Sequence, residues 1–418
     1  MSMPNRKPTA LVVGAGIVGL SVALRLQLDG HDVTVVDADA PMTGCSFGNA
    51  GCLSEANIFP PITPDILAKL PRLLLSRDGP LIIRLSYLSE LLPWFRRAWR
   101  GLQADAQTRT TAVMASITAQ AIYSLEELVS ASNAKDLLST QGLLVAFRTS
   151  SALDQRAERL AVWQRFGIQV SRLTGAEVLD RVPALHRDMA GGLLFSGSGQ
   201  CRDPYLLGMR YLERLKLGGA RVERAKVIAI ERQREGQVQV MTPNARLAAD
   251  RIIVCAGYQS KALLENLGVL VPLVAERGYH LMLPKPGIHM NIPVIFGEPY
   301  FAATPMVGGI RLAGTAEFSR FESRPDYRRA RMLFRQAQHY LPGIADVDAR
   351  PWAGVRPTFP DGMPAIGALA GFPGVFYAFG HSHNGLTLSA ITAKCISALI
   401  SGRDIGIPIE AMALERFR

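Results

Sequence analysis

The glycines near the N-terminus have a spacing that suits the binding of a phosphate group. Gly14, Gly16 and Gly19 stand in the pattern GAGIVG, and Asp37 follows 18 residues after the last glycine. The first glycine permits a tight turn, the second lets a pyrophosphate approach the N–H groups at a helix N-terminus, and the third allows close helix–strand packing. Asp37 can accept hydrogen bonds from a ribose hydroxyl. We therefore predict dinucleotide binding; the alternative is a glycine-rich turn without a ligand.

The flanking elements have the order that this motif needs. Residues 10–13 form a short apolar run, as in a strand buried on both faces. Residues 20–26 form a helical run that ends near Gly30, and residues 31–36 form a second strand. The glycines therefore lie in a complete βαβ unit, which makes the signal strong. The motif by itself does not separate FAD from NAD.

Three later segments carry the small residues that allow a flat ring system to approach the backbone. Residues 43–51 (TGCSFGNAG) follow the second predicted strand, and residues 250–257 (DRIIVCAG) are typical of a buried strand that ends in small residues. Residues 376–385 (FYAFGHSHNG) precede a helical run that reaches Ile400. A helix N-terminus there would stabilise negative charge on a reduced flavin, so these segments favour FAD.

Arg356 lies between a probable strand and Pro357, in a segment framed by Gly354 and Gly362, and is a candidate to bind a substrate. A guanidinium presents a planar fork that matches a carboxylate with two hydrogen bonds. The alternative is a structural ion pair with a buried acid. His381 and His383 lie in the C-terminal loop, where a histidine can take or donate a proton. The alternative to this role, for each histidine, is a structural residue of the loop whose hydrogen bonds are satisfied.

The composition is that of a folded chain of two or three domains. The chain has 418 residues, of which 48% are hydrophobic and 19% charged, and this excludes a disordered protein. No apolar run approaches the roughly 20 residues of a spanning helix. Arg6 and Lys7 precede an apolar stretch that mimics a signal peptide, but three glycines interrupt it.

The charge and the cysteine content exclude further classes of protein. The formal net charge is +11, but the cations are scattered and form no basic stripe of the kind that nucleic-acid binders carry. The five cysteines include no CxxC pair and have no His-rich partner motif. We therefore expect no nucleic-acid partner, no metal and reduced thiols in the cytoplasm.

The chain resembles, nearly end to end, the D-amino-acid oxidase superfamily of FAD enzymes, and within it the bacterial D-amino-acid dehydrogenases of the small-subunit type. The resemblance rests on the N-terminal glycine motif with Asp37, on residues 46–51 (SFGNAG) and on residues 277–279 (RGY). It rests most specifically on residues 352–367 (WAGVRPTFPDGMPAIG). Any one of these could arise by chance, whereas all of them in the family's order are a strong signal.

The resemblance implies an α/β fold with a discontinuous Rossmann-like FAD-binding domain and a substrate domain that has a large mixed β-sheet. The predicted FAD-binding domain comprises residues 1–60, 200–265 and 350–418, and the predicted substrate domain comprises residues 61–199 and 266–349. Local patterns agree, because several short apolar runs fit no βαβ repeat. These strands are expected at residues 143–147, 192–195, 294–296, 300–303 and 309–313, and helices at residues 204–217 and 327–340.

The resemblance also implies the residues that contact FAD. Val227 is assigned by position to the strand whose backbone meets the adenine. Superfamily members that tether FAD covalently use a histidine where this chain has Gly48, or a cysteine where it has Gly354, so we expect non-covalent FAD. The expected contacts are Gly14, Ala15, Gly16, Ile17, Val18, Gly19, Asp37, Ala38, Cys45, Ser46, Asn49, Ala50, Gly51, Val227, Cys255, Ala256, Gly257, Gly380, His381, Asn384, Gly385, Leu386 and Thr387.

For the substrate, the resemblance implies that Arg356 grips the carboxylate. Tyr300 corresponds approximately to a tyrosine that adds a second hydrogen bond, and Tyr279 is its rival; a packed core tyrosine is the alternative for both. His381 corresponds to a common family histidine near the flavin pyrimidine ring, whereas the role of His383 stays open. No separate acid–base residue is demanded, because the lone pair of a neutral amine can drive hydride from Cα to flavin N5.

Residues 62–102 contain an unusual mixture of leucine, tryptophan and arginine. Pro80 is expected to begin a helix that Pro93 breaks. Trp, Leu and Arg in this mixture suit a membrane interface, although a helix pair over the protein's own core is the alternative. Contact through residues 80–102 would place the protein on the inner face of the cytoplasmic membrane. The stripe is made by Leu81, Leu85, Leu88, Leu92, Trp94, Phe95, Trp99 and Leu102, with charge from Arg96, Arg97 and Arg100.

The implied activity is oxidation of a D-amino acid to an imino acid, which hydrolyses to a 2-oxo acid and ammonia. A cyclic secondary amine such as D-proline or hydroxy-D-proline is an equally reasonable substrate. The implied electron acceptor is a respiratory quinone or another carrier rather than oxygen. Two alternatives stay open: a glycine- or sarcosine-type oxidase that uses oxygen, and a nucleotide-cofactor-binding module that acts on nucleic acid. The scattered arginines and the intact Arg356 segment speak against the second.

Overall fold

The computed structural model describes residues 6–64, 66–68, 70, 79–232 and 238–418. Their strands are β1 (Thr9–Val13), β2 (Asp32–Asp37), β3 (Cys52–Leu53), β4 (Leu81–Ile83), β5 (Leu138–Ser139), β6 (Leu143–Phe147), β7 (Val170–Thr174), β8 (Gly191–Phe195), β9 (Gly199–Cys201), β10 (Arg221–Arg224), β11 (Ala229–Arg232), β12 (Val238–Met241), β13 (Arg246–Ala248), β14 (Arg251–Val254), β15 (Val274–Leu283), β16 (Val294–Phe296), β17 (Phe301–Met306), β18 (Gly309–Phe318), β19 (Arg350–Thr358), β20 (Ala365–Ala368) and β21 (Val375–Phe379).

The α-helices of the same residues surround these strands. They are α1 (Ile17–Leu28), α2 (Leu88–Arg100), α3 (Ala104–Thr118), α4 (Ala121–Ala131), α5 (Ser150–Ala157), α6 (Leu160–Arg165), α7 (Gly175–Arg181), α8 (Pro204–Leu217), α9 (Ser260–Glu265), α10 (Arg328–Gln338) and α11 (Gly385–Ser401). None of them is both long and apolar enough to cross a membrane.

A six-stranded sheet carries the N-terminal glycine motif. Its strand order is β10-β2-β1-β14-β21-β20, and the pairings from β10 to β21 are all parallel. The carboxyl ends of these strands therefore meet at one edge, where ligands bind in open α/β sheets. That edge brings together Gly14, Asp37, Cys255 and Gly380, which follow or end four different strands. The strands β10, β2, β1, β14 and β21 can be parallel because α1 and longer segments, rather than hairpins, connect them, whereas the edge strand β20 pairs antiparallel with β21.

A nine-stranded mixed sheet forms the second layer of the site. Its order is β19-β15-β18-β17-β16-β6-β8-β7, with β4 paired to β18. The predicted α/β fold with a Rossmann-like unit and a large mixed sheet is thus confirmed; the division of the chain into domains at the expected boundaries stays a prediction. The antiparallel register of β15 and β19 sets the site, because it places Glu276 opposite Arg356 and Gly278 opposite Gly354.

The prediction for the segment that begins at Pro80 was partly wrong. Leu81–Ile83 is a strand, because its backbone pairs in parallel with β18, and a short 3₁₀ turn follows at Leu85–Tyr87. The helix begins only at Leu88, and Pro93 lies inside it instead of ending it. Part of the predicted region, residues 65, 69 and 71–78, lies outside the described residues.

Helix α2 has two different apolar faces, so the predicted stripe is not continuous. Leu91, Trp94 and Ala98 are buried, and the Trp94 indole Nε1 donates a hydrogen bond to the Thr358 carbonyl at 3.1 Å. On the other face, Leu92 and Trp99 are exposed, the latter by 68%. Trp94 therefore belongs to the core, because it anchors α2 to β19.

Candidate active site

The glycine motif forms the tight turn between β1 and α1 that the sequence predicts. Gly14 has φ +111°, and a Cβ there would overlap the Cys255 carbonyl. A Cβ at Gly19 would overlap the Gly14 carbonyl, so both positions exclude a side chain for lack of space. Asp37 reaches back to this turn, where its Oδ2 accepts a hydrogen bond from Ala15 N at 2.6 Å. Asp37 and the turn therefore lie together at the N-terminus of α1, where the motif places a phosphate.

The residues expected at the adenosine end lie around the same sheet edge. Ala38 directly follows β2, and its carbonyl accepts a hydrogen bond from Arg224 Nε at 3.4 Å. Val227 lies three residues beyond β10, which pairs with β2. The remaining expected contacts at this edge are Gly16, Ile17 and Val18 at the start of α1, and Cys255, Ala256 and Gly257 after β14.

The loop of residues 45–51 is fastened to the mixed sheet by two buried side chains. Arg311 Nη1 donates hydrogen bonds to the carbonyls of Phe47 and Asn49, at 3.2 and 2.6 Å. His280 Nδ1 lies 3.1 Å from the carbonyl of Gly48. Burial lowers the pKa of Arg311 to about 10, which still leaves it charged at neutral pH. Arg311 and His280 thus position the loop that we expect to face the flavin, and the sequence analysis had missed both.

Trp352 fills the space beside Gly48 and Gly354, the two positions where the resemblance implies the attachment residue of a covalent FAD. A Cβ at Gly48 or at Gly354 would overlap its indole ring. The ring also stacks on His280 with centroids 5.1 Å apart. A histidine or cysteine does not fit at either position unless Trp352 moves, which supports non-covalent FAD.

A cavity of about 380 Å³ joins the two sheets and is lined by four of the five candidate substrate residues and by seven of the expected FAD contacts. One wall of the cavity is formed by the loop of residues 45–51 and by the start of α11. This wall fits a flat ring because it consists of small side chains and backbone. From that side the cavity is lined by Ile17, Cys45, Ser46, Asn49, Ala50, Gly385 and Leu386, and from the other by Tyr279, Tyr300, Arg356 and His383. Ser46 also accepts a hydrogen bond from Ile17 N at 3.0 Å, which ties the cavity to the glycine turn.

Arg356 forms the ion pair that the sequence analysis gave as the alternative, and it also lines the cavity, so its binding of the substrate carboxylate stays a prediction. Its Nη1 donates hydrogen bonds to Glu276 Oε1 and to the Thr315 carbonyl, each at 3.0 Å. It is therefore paired with a buried acid and also lines the cavity. The guanidinium lies across Gly278, where a Cβ would be 2.7 Å from Nη1 and closer still to Nη2. The missing side chain at Gly278 thus leaves the room that Arg356 occupies.

Glu276 links Arg356 to His383. Its side chain is 4% exposed, and its Oε1 lies 2.8 Å from His383 Nε2, while its Oε2 accepts a hydrogen bond from Thr358 Oγ1 at 2.8 Å. Burial alone would raise the pKa of Glu276. The charges and hydrogen bonds of His383, Arg356 and Thr358 outweigh burial and lower that pKa to about 2. Glu276 is therefore an anion at neutral pH.

The two candidate tyrosines differ in how free their hydroxyls are. Tyr300 is partly exposed and adopts φ +56°, in the left-handed region that a non-glycine residue rarely occupies. Tyr279 is buried, and its hydroxyl donates to Glu317 Oε2 at 2.7 Å and accepts from Asp326 N at 3.0 Å. Burial raises the pKa of Tyr279. Because the Tyr279 hydroxyl already has two partners, Tyr300 is the better candidate for a substrate contact.

The two loop histidines occupy different environments. His381 is buried, its Nε2 lies 2.9 Å from Thr392 Oγ1, and burial lowers its pKa to about 3. It does not line the cavity, whereas His383 does. His383 is therefore better placed to meet a substrate, because the side chain of His381 packs against α11, and contact of His381 with FAD stays a prediction.

The remaining expected contacts surround the cavity without lining it. Gly51 and Gly380 have positive φ, +74° and +77°, at turns that lead into and out of the site. Asn384 Oδ1 accepts a hydrogen bond from Asn57 Nδ2 at 3.0 Å. Thr387 Oγ1 lies 3.4 Å from Ser54 N. These residues hold the loops, and direct contact with FAD stays a prediction for them.

Glu276 and Thr315 were missed because neither stands out in a single sequence. Glu276 precedes the RGY motif directly, and it lies two positions from Gly278, on the same face of β15. A charged residue within an otherwise buried strand was the available signal. Thr315 gave no signal in the sequence. Its φ of +63° and its place beside Arg356 arise from the irregular pairing of β15 and β18.

No cluster of three or more histidine, cysteine or acidic side chains suited to a metal ion occurs in the described part of the chain. The five cysteines are all free. Cys45 lies at the cavity wall, whereas Cys201, Cys255 and Cys395 are buried.

Comparison with known proteins identifies the family. The family model for DAO, described as FAD dependent oxidoreductase, matches residues 9–399. A D-amino-acid oxidase of Bradyrhizobium diazoefficiens is 31% identical over 423 residues, covering 99% of this chain and all of that protein. A D-amino acid dehydrogenase of Sinorhizobium medicae is 29% identical over 97% of this chain and 99% of its own length.

Solved structures show the same fold. A glycine oxidase from Geobacillus kaustophilus aligns with a TM-score of 0.75 at 22% identity, over 98% of this chain and 99% of its own. An L-proline dehydrogenase from P. horikoshii aligns with a TM-score of 0.74 at 16% identity, over 99% of this chain and 98% of its own. The predicted superfamily and the predicted cofactor are confirmed: the chain belongs to the DAO family and is an FAD-dependent oxidoreductase.

Proposed function

We propose that the chain oxidises a D-amino acid, or a cyclic secondary amine such as D-proline, to the corresponding imino acid. The observation that carries the proposal is Arg356, a half-buried cation that lines the cavity between the glycine motif and the mixed sheet. The names of the full-length relatives support a D-amino acid as the substrate class. An open-chain imino acid then hydrolyses to a 2-oxo acid and ammonia.

In the proposed reaction the chain binds and orients the substrate. The free nitrogens of the Arg356 guanidinium bind the carboxylate, because Glu276 and the Thr315 carbonyl engage only Nη1. Tyr300, which lines the same cavity, adds a second hydrogen bond to the carboxylate. Bound FAD supplies the acceptor for the hydride that leaves Cα. The positive end of α11 lies at the cavity through Gly385 and Leu386, where it favours negative charge on the reduced ring.

An anaerobic screen tests the substrate class directly. The holoenzyme is mixed with single D- and L-amino acids, glycine and sarcosine, and bleaching of the flavin absorbance is followed. We expect D-amino acids or D-proline to bleach the flavin faster than their L-enantiomers. Faster bleaching by glycine or sarcosine, or no bleaching by any D-amino acid, would contradict the proposal.

An oxidase that uses oxygen is the second candidate, because one relative that covers the whole chain is named an oxidase. We propose instead that electrons pass to a quinone or another carrier. The two differ in a simple measurement: an oxidase forms hydrogen peroxide at the rate of turnover, whereas a dehydrogenase reduces quinone analogues quickly and oxygen slowly.

The exposed face of α2 and the turn before it supports contact with a membrane that holds the quinone. Leu85, Leu88, Leu92 and Trp99 are exposed there, beside the exposed Arg96 and Arg100. Apolar side chains of this kind enter the acyl boundary, and each arginine near an anionic surface contributes about 1 kcal/mol. The buried face of the same helix touches β19, which carries Arg356. Docking through α2 would therefore bring the active site close to the membrane.

Vesicle binding tests this contact. Replacing Leu92 and Trp99 with serine is expected to weaken binding to anionic vesicles while activity with a soluble dye survives. The matched control is Leu217→Ser, which removes an exposed leucine from the C-terminal end of α8. Equal vesicle binding by the Leu92/Trp99 variant and the wild type would contradict membrane contact. Trp94 belongs to the stripe predicted from the sequence, but it is unsuitable for this test because it is buried.

A further inference from the structure

We propose that Glu276 and His383 form a carboxylate–imidazole pair that receives the substrate ammonium group, with His383 Nδ1 taking its proton and Glu276 positioning the ring. The inference rests on the proposed oxidation of an amino acid. It deepens that function, because it assigns the step that makes the substrate nitrogen neutral. The sequence analysis required no separate acid–base residue and left the role of His383 open.

The geometry fixes which ring nitrogen carries the proton at rest. His383 Nε2 lies 2.8 Å from Glu276 Oε1. An ionised carboxylate can only accept hydrogen bonds, so Nε2 must carry the hydrogen. In the neutral ring the lone pair is then on Nδ1, as when a carboxylate orients a catalytic histidine. The His383 side chain is 55% exposed and lines the cavity, so a substrate can reach it.

Glu276 is held rigidly enough to position the ring. It is nearly fully buried in β15, and besides His383 it has Arg356 and Thr358 of β19 as partners. Arg356 and the Thr358 hydroxyl also lower the pKa of Glu276, so the carboxylate keeps stabilising partners when His383 is neutral. Glu276 contacts His383 directly, and its Oε1 also accepts a hydrogen bond from Arg356; Ser382 and Thr358 add hydroxyls nearby.

The arrangement matches the two charges of an amino-acid zwitterion. Arg356 offers its free nitrogens to the carboxylate, and the Glu276–His383 pair faces the same cavity with an acceptor for the ammonium group. In the proposed step one N–H bond of the ammonium breaks and an Nδ1–H bond forms on His383. The electron pair left on the substrate nitrogen then forms the C=N bond as the hydride leaves Cα. The imidazolium charge is stabilised by Glu276.

The test is the pH dependence of anaerobic flavin reduction in the holoenzyme. We expect kcat/KM of the wild type to fall on the acid side as His383 becomes protonated. In His383→Gln the loss at neutral pH is expected to be roughly 10²-fold or more, the usual contribution of a general base. The loss should disappear at alkaline pH, where the free amine is already neutral. A merely structural role would give no alkaline rescue.

Binding of propionate, the amine-free analogue of alanine, provides the second measurement. Its affinity is read from the perturbation of the visible flavin spectrum. We expect His383→Gln to bind propionate as the wild type does, because Arg356 recognises the carboxylate, whereas Arg356→Lys binds it weakly. Glu276→Gln keeps an acceptor for Nε2 but loses the charge, so its kcat/KM at neutral pH should lie between those of the wild type and His383→Gln.

The outcomes separate this proposal from the proposed function. If the wild type is reduced by D-amino acids but His383→Gln keeps the same acid limb, the pair is not the proton acceptor, and the oxidation itself stands. If no amino acid reduces the wild-type flavin, the proposed function and the pair are both overturned. Parallel loss of propionate binding in His383→Gln would also contradict the pair, because it would show a general disturbance of the cavity.

Discussion

Replacing Gly278 with alanine should impair binding of the substrate carboxylate at the proposed site without changing the charge of any residue. A Cβ there would lie 2.7 Å from Arg356 Nη1, and Nη2 and Cζ would be closer still. Gly278 has no positive φ, so Gly278→Ala introduces no backbone strain. Ordinary contact begins at 3.4 Å, which means that the guanidinium must move by roughly 1 Å or abandon Glu276.

The size of the expected effect follows from that displacement. A misplacement of about 1 Å in a positioned group can cost roughly 10²-fold in rate. We therefore expect kcat/KM of Gly278→Ala to fall by about 10²-fold, equivalent to about 2.7 kcal/mol of transition-state stabilisation. FAD content should be unchanged, because the glycine turn between β1 and α1 lies elsewhere.

The assay is anaerobic flavin reduction by the best D-amino acid, together with propionate binding. Arg356→Lys serves as the reference, since it keeps the charge but loses the planar fork, and the two variants should lose propionate affinity alike. Gly308→Ala is the matched control, because its Cβ would meet only the flexible end of Met282, at 3.4 Å. Normal kinetics of Gly278→Ala with full FAD would refute the assignment of Arg356 as the carboxylate ligand.

Three further results are expected. Asp37→Ala should weaken FAD affinity in apoprotein titrations by roughly 1.5–3 kcal/mol for each lost hydrogen bond to the charged acceptor; unchanged affinity would remove Asp37 from the site. Acid precipitation should release free FAD, because Trp352 leaves no room for an attachment residue at Gly48 or Gly354; colour that stays with the pellet would contradict this. His381 has a folded pKa of about 3, below its ordinary value, so the stability it contributes above pH 6.5 is lost as the pH falls towards 3. Unfolding of His381→Gln should therefore depend less on pH across that range, and an unchanged slope would contradict the burial of its neutral ring.

The sequence by itself determined the nucleotide-binding half of the fold. The spacing of Gly14, Gly16 and Gly19 between two apolar strands is local information, and the turn and the helix formed as predicted. Helix α8, which was predicted from its pattern, has the predicted bounds of Pro204 and Leu217. Such elements depend on neighbours within a few residues of one another, so periodicity and capping suffice to place them.

Only the tertiary structure decided which polar groups meet in the cavity. Glu276 lies 80 residues before Arg356 and 107 before His383, and the register of β15 and β19 with the turn at Ser382–Asn384 brings the three together. The same holds for α2: the composition of the segment indicated an apolar helix, but only packing against β19 shows that Trp94 faces inward and Trp99 outward. Long-range strand pairing fixes these contacts, and no local pattern encodes it, because a pattern gives the face of an element and not its partner.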